Sequence, residues 1–454
     1  MTTTTLPVVP MRALVRRDTA LGLLLAVAFV DATGRGAFFA LTSLYLTTVV
    51  GIPVTAVGLA LTIAGGVGLL SSLAFGHLAD RWSARKMLIA LHLLQGCALG
   101  AYIVVRDLPS LAAVASLVMF AQQGNSSVRS AAVGRAFLGD ERVSIRATMR
   151  TVTNLGMAAG TAVAAIPLAV GTGNAYRITM AAAGGLFLAS ALMLTRLPAH
   201  RVDARRFAVT GTGGTARPAT PARPPHRNMP FLAVTALSGV FGIQFGLFEV
   251  AMPLWVVRHT QVPDVLVSLL LLVNTGVVIA LQIPLSRTTT DVRGASRTMA
   301  RAGWLMAGAC ALWAAAGWAP PMTAAAVLLA AALVHSLAEI TSSAAGWVLS
   351  FELADPERTG AYQGVYQTGY ALGAMAAPAV VTLTVIDLGT PGWGLLALVF
   401  LASASGIAMI ARRAAEARDP NTATDPCARS AASPDAGTPR RSGPPFATTE
   451  ASNQ

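Results

Sequence analysis

Charged side chains are scarce in this sequence. They make up 12% of 454 residues, about half of the roughly 25% found in soluble domains. That excludes an ordinary water-soluble enzyme of two or three domains, whose surface needs more charge. Lysine is nearly missing, Lys86 being the only one among 33 basic residues. Cysteine is rare as well. Cys97, Cys310 and Cys427 are odd in number and far apart, so neither a disulfide framework nor a metal site is indicated. The 42 glycines lie inside apolar segments without a period of three, which excludes a collagen-like repeat. No P-loop, metal-ligand cluster or nucleophile elbow occurs, so no cofactor, ATP drive or enzymatic hydrolysis is implied.

What the sequence does have is 54% apolar residues in continuous runs rather than stripes. A spanning helix needs about 20 mostly apolar residues, and lipid tolerates no other backbone except a closed barrel. Twelve spans are expected, at roughly 20–49, 55–79, 86–105, 109–134, 147–170, 175–197, 230–257, 264–286, 298–318, 321–350, 360–386 and 391–411. The fold class read from these is all-α, a polytopic membrane protein. The first run is too long for a cleaved signal peptide and reads as a retained helix.

The formal net charge of +13 would suggest nucleic acid if the arginines formed one surface. Instead they recur at alternate loops, as in Arg12, Arg16 and Arg17, then Arg81, Arg85 and Lys86, then Arg142, Arg146 and Arg150. That pattern sets orientation in a cell membrane. With both termini cytoplasmic, only Arg106, Arg177 and Arg258 fall on the outer side. The expected layout is a cytoplasmic amino-terminal segment (1–19), a six-helix half (20–197), a basic cytoplasmic linker (198–229), a second six-helix half (230–413) and a disordered cytoplasmic tail (414–454). The partners expected are the bilayer, a small-molecule substrate and protons, with no nucleic acid, and the chain is expected to be a monomer.

A shift of 210 residues lays the first half on the second. Gly36 falls on Gly246, Tyr45 on Trp255, Pro53 on Pro263 and Gly66 on Gly276. Parallel repeats of this kind build secondary transporters with a site near the midplane.

Between the second and third spans stands Gly76-His77-Leu78-Ala79-Asp80-Arg81-Trp82-Ser83-Ala84-Arg85-Lys86. It resembles the signature loop of the major facilitator superfamily (MFS), departing at Ser83, where that family usually has glycine. The resemblance covers residues 20–411 and implies twelve helices in two pseudo-symmetric halves and transport rather than enzymatic activity. It further implies a conformational latch of Gly76, Asp80, Arg81, Arg85 and Lys86. In it Asp80 sits against the amino end of the eleventh helix, and the basic residues pair with acids such as Asp140. The counterpart in the second half, Ser286 to Ser296, does not keep the pattern. Gly156 to Gly160 and Gly369 to Pro378 partly resemble the glycine-rich motif of exporters, although small residues also serve close helix packing.

Ionisable groups inside spans are costly and should face an interior or a partner. Asp31 and Arg35 share one helix face and either neutralise each other or serve coupling. Arg129 suits a gate or a cavity wall. Glu249 lies in a cavity-lining helix. His335 and Glu339 are one turn apart and either relay a proton or bond between helices. Gln244 and Asn274 are candidate substrate contacts. Paired arginines, which would mark an anion site, are not evident, and a mainly apolar cavity with a few acids is expected. The reading is therefore proton-coupled efflux, an antiporter of the multidrug-resistance type carrying small amphipathic molecules. The alternative is a proton-coupled importer of a sugar or organic acid.

Overall fold

The computed structural model describes residues 18–137, 141–203, 223–263 and 265–416; for a few residues inside helices, Glu249 among them, it describes the backbone alone. The first half comprises α1 (Thr19–Leu44), α2 (Val54–Ala79), α3 (Ala84–Ala101), α4 (Leu108–Ala136), α5 (Glu141–Val170) and α6 (Gly173–Leu194). The second comprises α7 (Met229–Gly242, continued by Met252–His259), α8 (Val265–Ser286), α9 (Val292–Ala316), α10 (Pro321–Glu352), α11 (Thr359–Val381) and α12 (Thr390–Glu416). No strand occurs among the described residues.

Nine of these helices are long and apolar enough to cross a membrane; α4, α7 and α9 are not among them. Polar residues interrupt α4, three arginines open α9, and α7 is broken. Packing keeps them in the bundle, with α4 against α2 and α3, α9 against α10 and α12, and α7 against α11 and α12.

Helix starts follow local chemistry. Asp107 and Ser110 form a capping box on α4, Asp291 caps α9 through the Gly294 N–H at 2.9 Å, and Asn228 caps α7. Satisfying the first free N–H groups of a helix in this way fixes where it begins. Asp107 lies in the loop before α4, and its hydrogen bonds with Ser110 hold its carboxyl below the usual range. Gly51, Gly171 and Gly389 turn the chain after α1, α5 and α11 with φ of 81°, 68° and 66°, a region that side chains with a Cβ avoid.

Boundaries differ from expectation in two ways. First, α5 begins at Glu141 rather than near 147 and α9 at Val292 rather than near 298, because polar first turns at a membrane face do not register as an apolar run. Second, the seventh span is not continuous: a π-helical turn, Leu247–Ala251, interrupts it. Pro253 lacks the N–H that would continue the α ladder there, and a widened turn absorbs the defect.

The halves repeat one pairing scheme. In the first, α1 packs on α5 and α6, α4 on α2 and α3, and α3 on α6; in the second, α7 packs on α11 and α12, α10 on α8 and α9, and α9 on α12. Across the divide, α2 meets α11 as α5 meets α8, and α4 meets α11 as α5 meets α10. This is a pseudo-twofold arrangement. Small residues permit the closest crossings: a Cβ added to Gly156 would lie 2.6 Å from the Phe29 carbonyl oxygen, and one on Gly239 2.5 Å from that of Gly369. Both exporter-like glycine stretches therefore serve backbone approach, α5 on α1 and α11 on α7. One apolar core fills the second half around Trp255, Trp313 and Trp393, and two fill the first. Leu70, Ile178, Leu192, Val265 and Leu272 point outward and are exposed, the inverse of a water-facing surface.

Candidate functional site

A cavity of about 520 Å³ lies between the halves, within the roughly 300–1,000 Å³ range of small-molecule sites. Its first-half wall carries Arg35 on α1, Arg129 on α4, and Arg146 and Arg150 on α5. Its second-half wall carries Phe245 on α7, Trp347 on α10, and Tyr366 and Tyr370 on α11. No acid lines it among the described residues. The few acids expected in this wall are thus absent from it among the described residues, and arginines stand in their place. Starting α5 at Glu141 brings Arg146 out of the loop and into the wall beside Arg150, while Asp31 and Glu339 turn away.

Asp31 is buried and points to α3, where its Oδ2 lies 2.9 Å from His92 Nε2. Arg129 Nη1 approaches the same oxygen at 3.5 Å. Asp31 and Arg35, which could have neutralised each other, form no direct ion pair; one turn further along, Arg35 faces the cavity, and its Nε and Nη2 are buried without a hydrogen-bond partner among the described residues. Glu339 is held from both halves, by Arg150 of α5 and by Asn274 Nδ2 of α8 at 3.1 Å. No His335–Glu339 relay forms. The His335 ring packs edge-on against Phe248, centroids 4.5 Å apart, and its Nδ1 has no hydrogen-bond partner among the described residues. Gln244 lines the cavity and donates to Ser342 Oγ at 3.2 Å. Asn274 braces Glu339 and Ser336 instead of the cavity. The Glu249 side chain lies outside the described residues, as does Asp140.

The signature loop closes one end of the bundle. Asp80 Oδ1 and Oδ2 accept from the N–H groups of Gly360 and Ala361, each at 2.7 Å, where α11 begins. A carboxylate is favoured there by unpaired N–H groups and the helix dipole. Asp80 also pairs with Arg135 of α4, at 2.9 Å. Arg81 and Lys86 are exposed. Arg85 donates to the Thr195 carbonyl, and its backbone N–H to Asp203 at 3.2 Å. Ser83 bonds Asp203 at 2.6 Å and caps α3, a use that glycine would not allow. Gly76 faces Gly364 across the α2–α11 crossing. Among the described residues the bonds joining the halves cluster toward this end, including Ser72 to the Gly364 carbonyl, Arg146 to Gln363 and Gln367 to Ser126.

The sequence profile described as Major Facilitator Superfamily matches residues 24–378. The chain belongs to the Major Facilitator Superfamily. With its apolar helices it is therefore a multi-pass membrane protein. It is 28% identical over 213 residues to an uncharacterized MFS-type transporter found in two strains of Mycobacterium tuberculosis. That stretch is 46% of this chain and 48% of the relative, so the chain spans about half the length of the curated relatives it matches. Two solved MFS-like structures share the fold. The human organic anion transporter MFSD10 (TETRAN) superposes with a TM-score of 0.63 at 15% identity, over 86% of this chain and 99% of that one. A bacterial homologue of the iron transporter ferroportin, in its outward-facing state, gives 0.66 at 13%, over 87% and 99%.

Proposed function

We propose that this MFS protein is a proton-coupled secondary transporter, working by alternating access through the cavity between its halves. The Asp31–His92 pair carries this reading. His92 Nδ1 lies 2.7 Å from the Leu88 carbonyl oxygen, and Nε2 lies 2.9 Å from Asp31 Oδ2. A carbonyl only accepts, so Nδ1 bears a hydrogen, and a carboxylate facing Nε2 then requires one more proton between them. The pair stores that proton as imidazolium with carboxylate or as imidazole with carboxylic acid. Arg129 links it to the cavity wall.

Efflux by antiport follows if proton and substrate exclude each other at this pair, as a cation competing for the carboxylate would. Import by symport follows if they bind together. The charge of the substrate sets the sign. The arginine distribution supports a cell-membrane location with both termini cytoplasmic, and the chain acts as a monomer in this reading. The conformation described, joined at the Asp80 end, is then the one closed to the cytoplasm.

The test is transport in membrane vesicles across a compound panel, with and without an imposed pH gradient. Everted vesicles report efflux and right-side-out vesicles report import. Asp31→Asn and His92→Gln are expected to abolish gradient-driven accumulation while leaving exchange down a concentration gradient. Accumulation undiminished in both variants would remove the proton from this site.

A further inference from the structure

Resting on that reading of the cavity as the substrate site, we infer that the substrate is a small organic anion with an aromatic or apolar body, its charged group held by Arg35, Arg129 and Arg146. Four arginines line the cavity, and among the described residues two carboxylates stand near them, Asp31 and Glu339, each turned out of it. With the Asp31–His92 pair unprotonated two positive charges are left uncompensated, and with it protonated three. Charge left unpaired at membrane depth is costly and marks a substrate or ion path.

The surplus can be assigned to particular side chains. Arg150 is neutralised by Glu339. Arg129 has a 3.5 Å share of an Asp31 oxygen already bonded to His92. Among the described residues Arg146 meets neutral acceptors, Ser130 Oγ at 2.9 Å and Gln363 Oε1 at 3.2 Å, with its guanidinium 5.1 Å from the Phe351 ring centre. Arg35 leaves two buried N–H-bearing atoms unbonded. Planar guanidinium donors facing one cavity suit carboxylate, sulfonate or phosphate oxygens. The opposite wall is aromatic, with Phe245, Trp347, Tyr366 and Tyr370. An anion therefore places its charge on the first half and its body on the second, and bridging the two favours occlusion.

The same arrangement fixes the coupling sign. The charges acting on Asp31 are His92 from α3, Arg129 from α4 and Arg35 from its own helix; α5 and α6, also packed on α1, supply none. A proton on the Asp31–His92 pair adds one positive charge and releases Arg129 toward the cavity. Proton and anion then bind together, which is symport, and an inward proton gradient drives import. The charge pattern thus favours the importer over the antiporter read from sequence.

Thermal melting of the purified full-length protein in detergent tests this with phthalate, benzoate, benzamide and benzylamine. Phthalate and benzoate are expected to raise the midpoint, and the amide and the amine are not. Arg35→Gln and Arg146→Gln should each weaken phthalate binding by about tenfold or more. Arg35→Lys should recover part of it, and Arg177→Gln, exposed and outside the cavity, should change nothing. Equal stabilisation by benzamide or benzylamine, or unchanged binding in the arginine variants, overturns the anion site. Proton uptake on phthalate binding, read by a dye in weak buffer, separates the two proposals. Phthalate binding without uptake keeps the anion site and removes coupling through Asp31–His92. Proton storage at His92, seen by ring-nitrogen NMR, with no anion binding does the reverse.

Discussion

Glu339 stands midway along α10 with its oxygens divided between Arg150 of the first half and Asn274 of the second. Removing one member of a largely buried pair strands the other and costs up to about 3–5 kcal/mol. Arg150 keeps Ser343 at 2.5 Å and some exposure, so a smaller loss is expected here. Glu339→Gln should lower the melting temperature in detergent, and Arg150→Met combined with Glu339→Gln should recover part of the loss. An unchanged melting temperature in the single variant would show that the pair contributes no stability. Glu339 was legible in the sequence as a buried acid, but its partner was not. The one-turn spacing to His335 suggested a relay, and the spacing of Asp31 to Arg35 suggested a pair. In both cases the partner comes from another helix, His92 for Asp31 and Arg150 for Glu339, and no spacing within one helix reports it. A lone histidine in the apolar run of α3 carries no signal of its own.

At the scale of elements, apolar runs located the spans well where lipid-facing residues extend to the helix end, as in α2 and α10. They failed at α5, whose first turns are polar. Arg142, Arg146 and Arg150 are spaced four apart, the repeat of one helical face, and that spacing was the available sign that they belong to a helix. The loop Gly76 to Lys86 was legible because its glycine and acid serve backbone contacts, which residue type alone dictates. A Cβ at Gly76 would lie 2.7 Å from the Gly364 Cα and 2.8 Å from the Gly360 carbonyl oxygen. Gly76→Ala must therefore force α2 from α11, at a cost of about 1–3 kcal/mol by analogy with overpacked cores. Gly66→Ala, in the same helix but facing open space, is the control. The Gly76 variant should melt lower and the Gly66 variant should not; equal melting would mean that α2 and α11 separate freely.

The molecule as a whole is symmetric in its helix pairing and asymmetric in what holds its halves together. At the α2–α11 crossing Asp80 accepts two N–H groups at the start of α11 and meets Arg135. At the pseudo-equivalent place Asp291 is used up locally, capping its own helix through Gly294. A two-state transporter shifts only by the difference in free energy between its states. Contacts present in one state alone therefore set the resting population. Hydrogen bonds to a charged group contribute about 1.5–3 kcal/mol each, and roughly 1.4 kcal/mol is tenfold in a population. Asp80→Asn keeps the size of the side chain and one accepting oxygen but loses the charge that suits both the α11 terminus and Arg135. It should move the population toward opening at this end by about tenfold or more, whereas Arg135→Gln, which leaves both backbone bonds, should move it less. Spin labels at positions 83 and 358, with Cys97, Cys310 and Cys427 replaced, would report this as a second, longer distance by pulsed electron resonance. Identical distance distributions in the parent and in Asp80→Asn would mean that the halves are held by the glycine crossing alone, and that the asymmetry of the loops has no part in choosing the resting state.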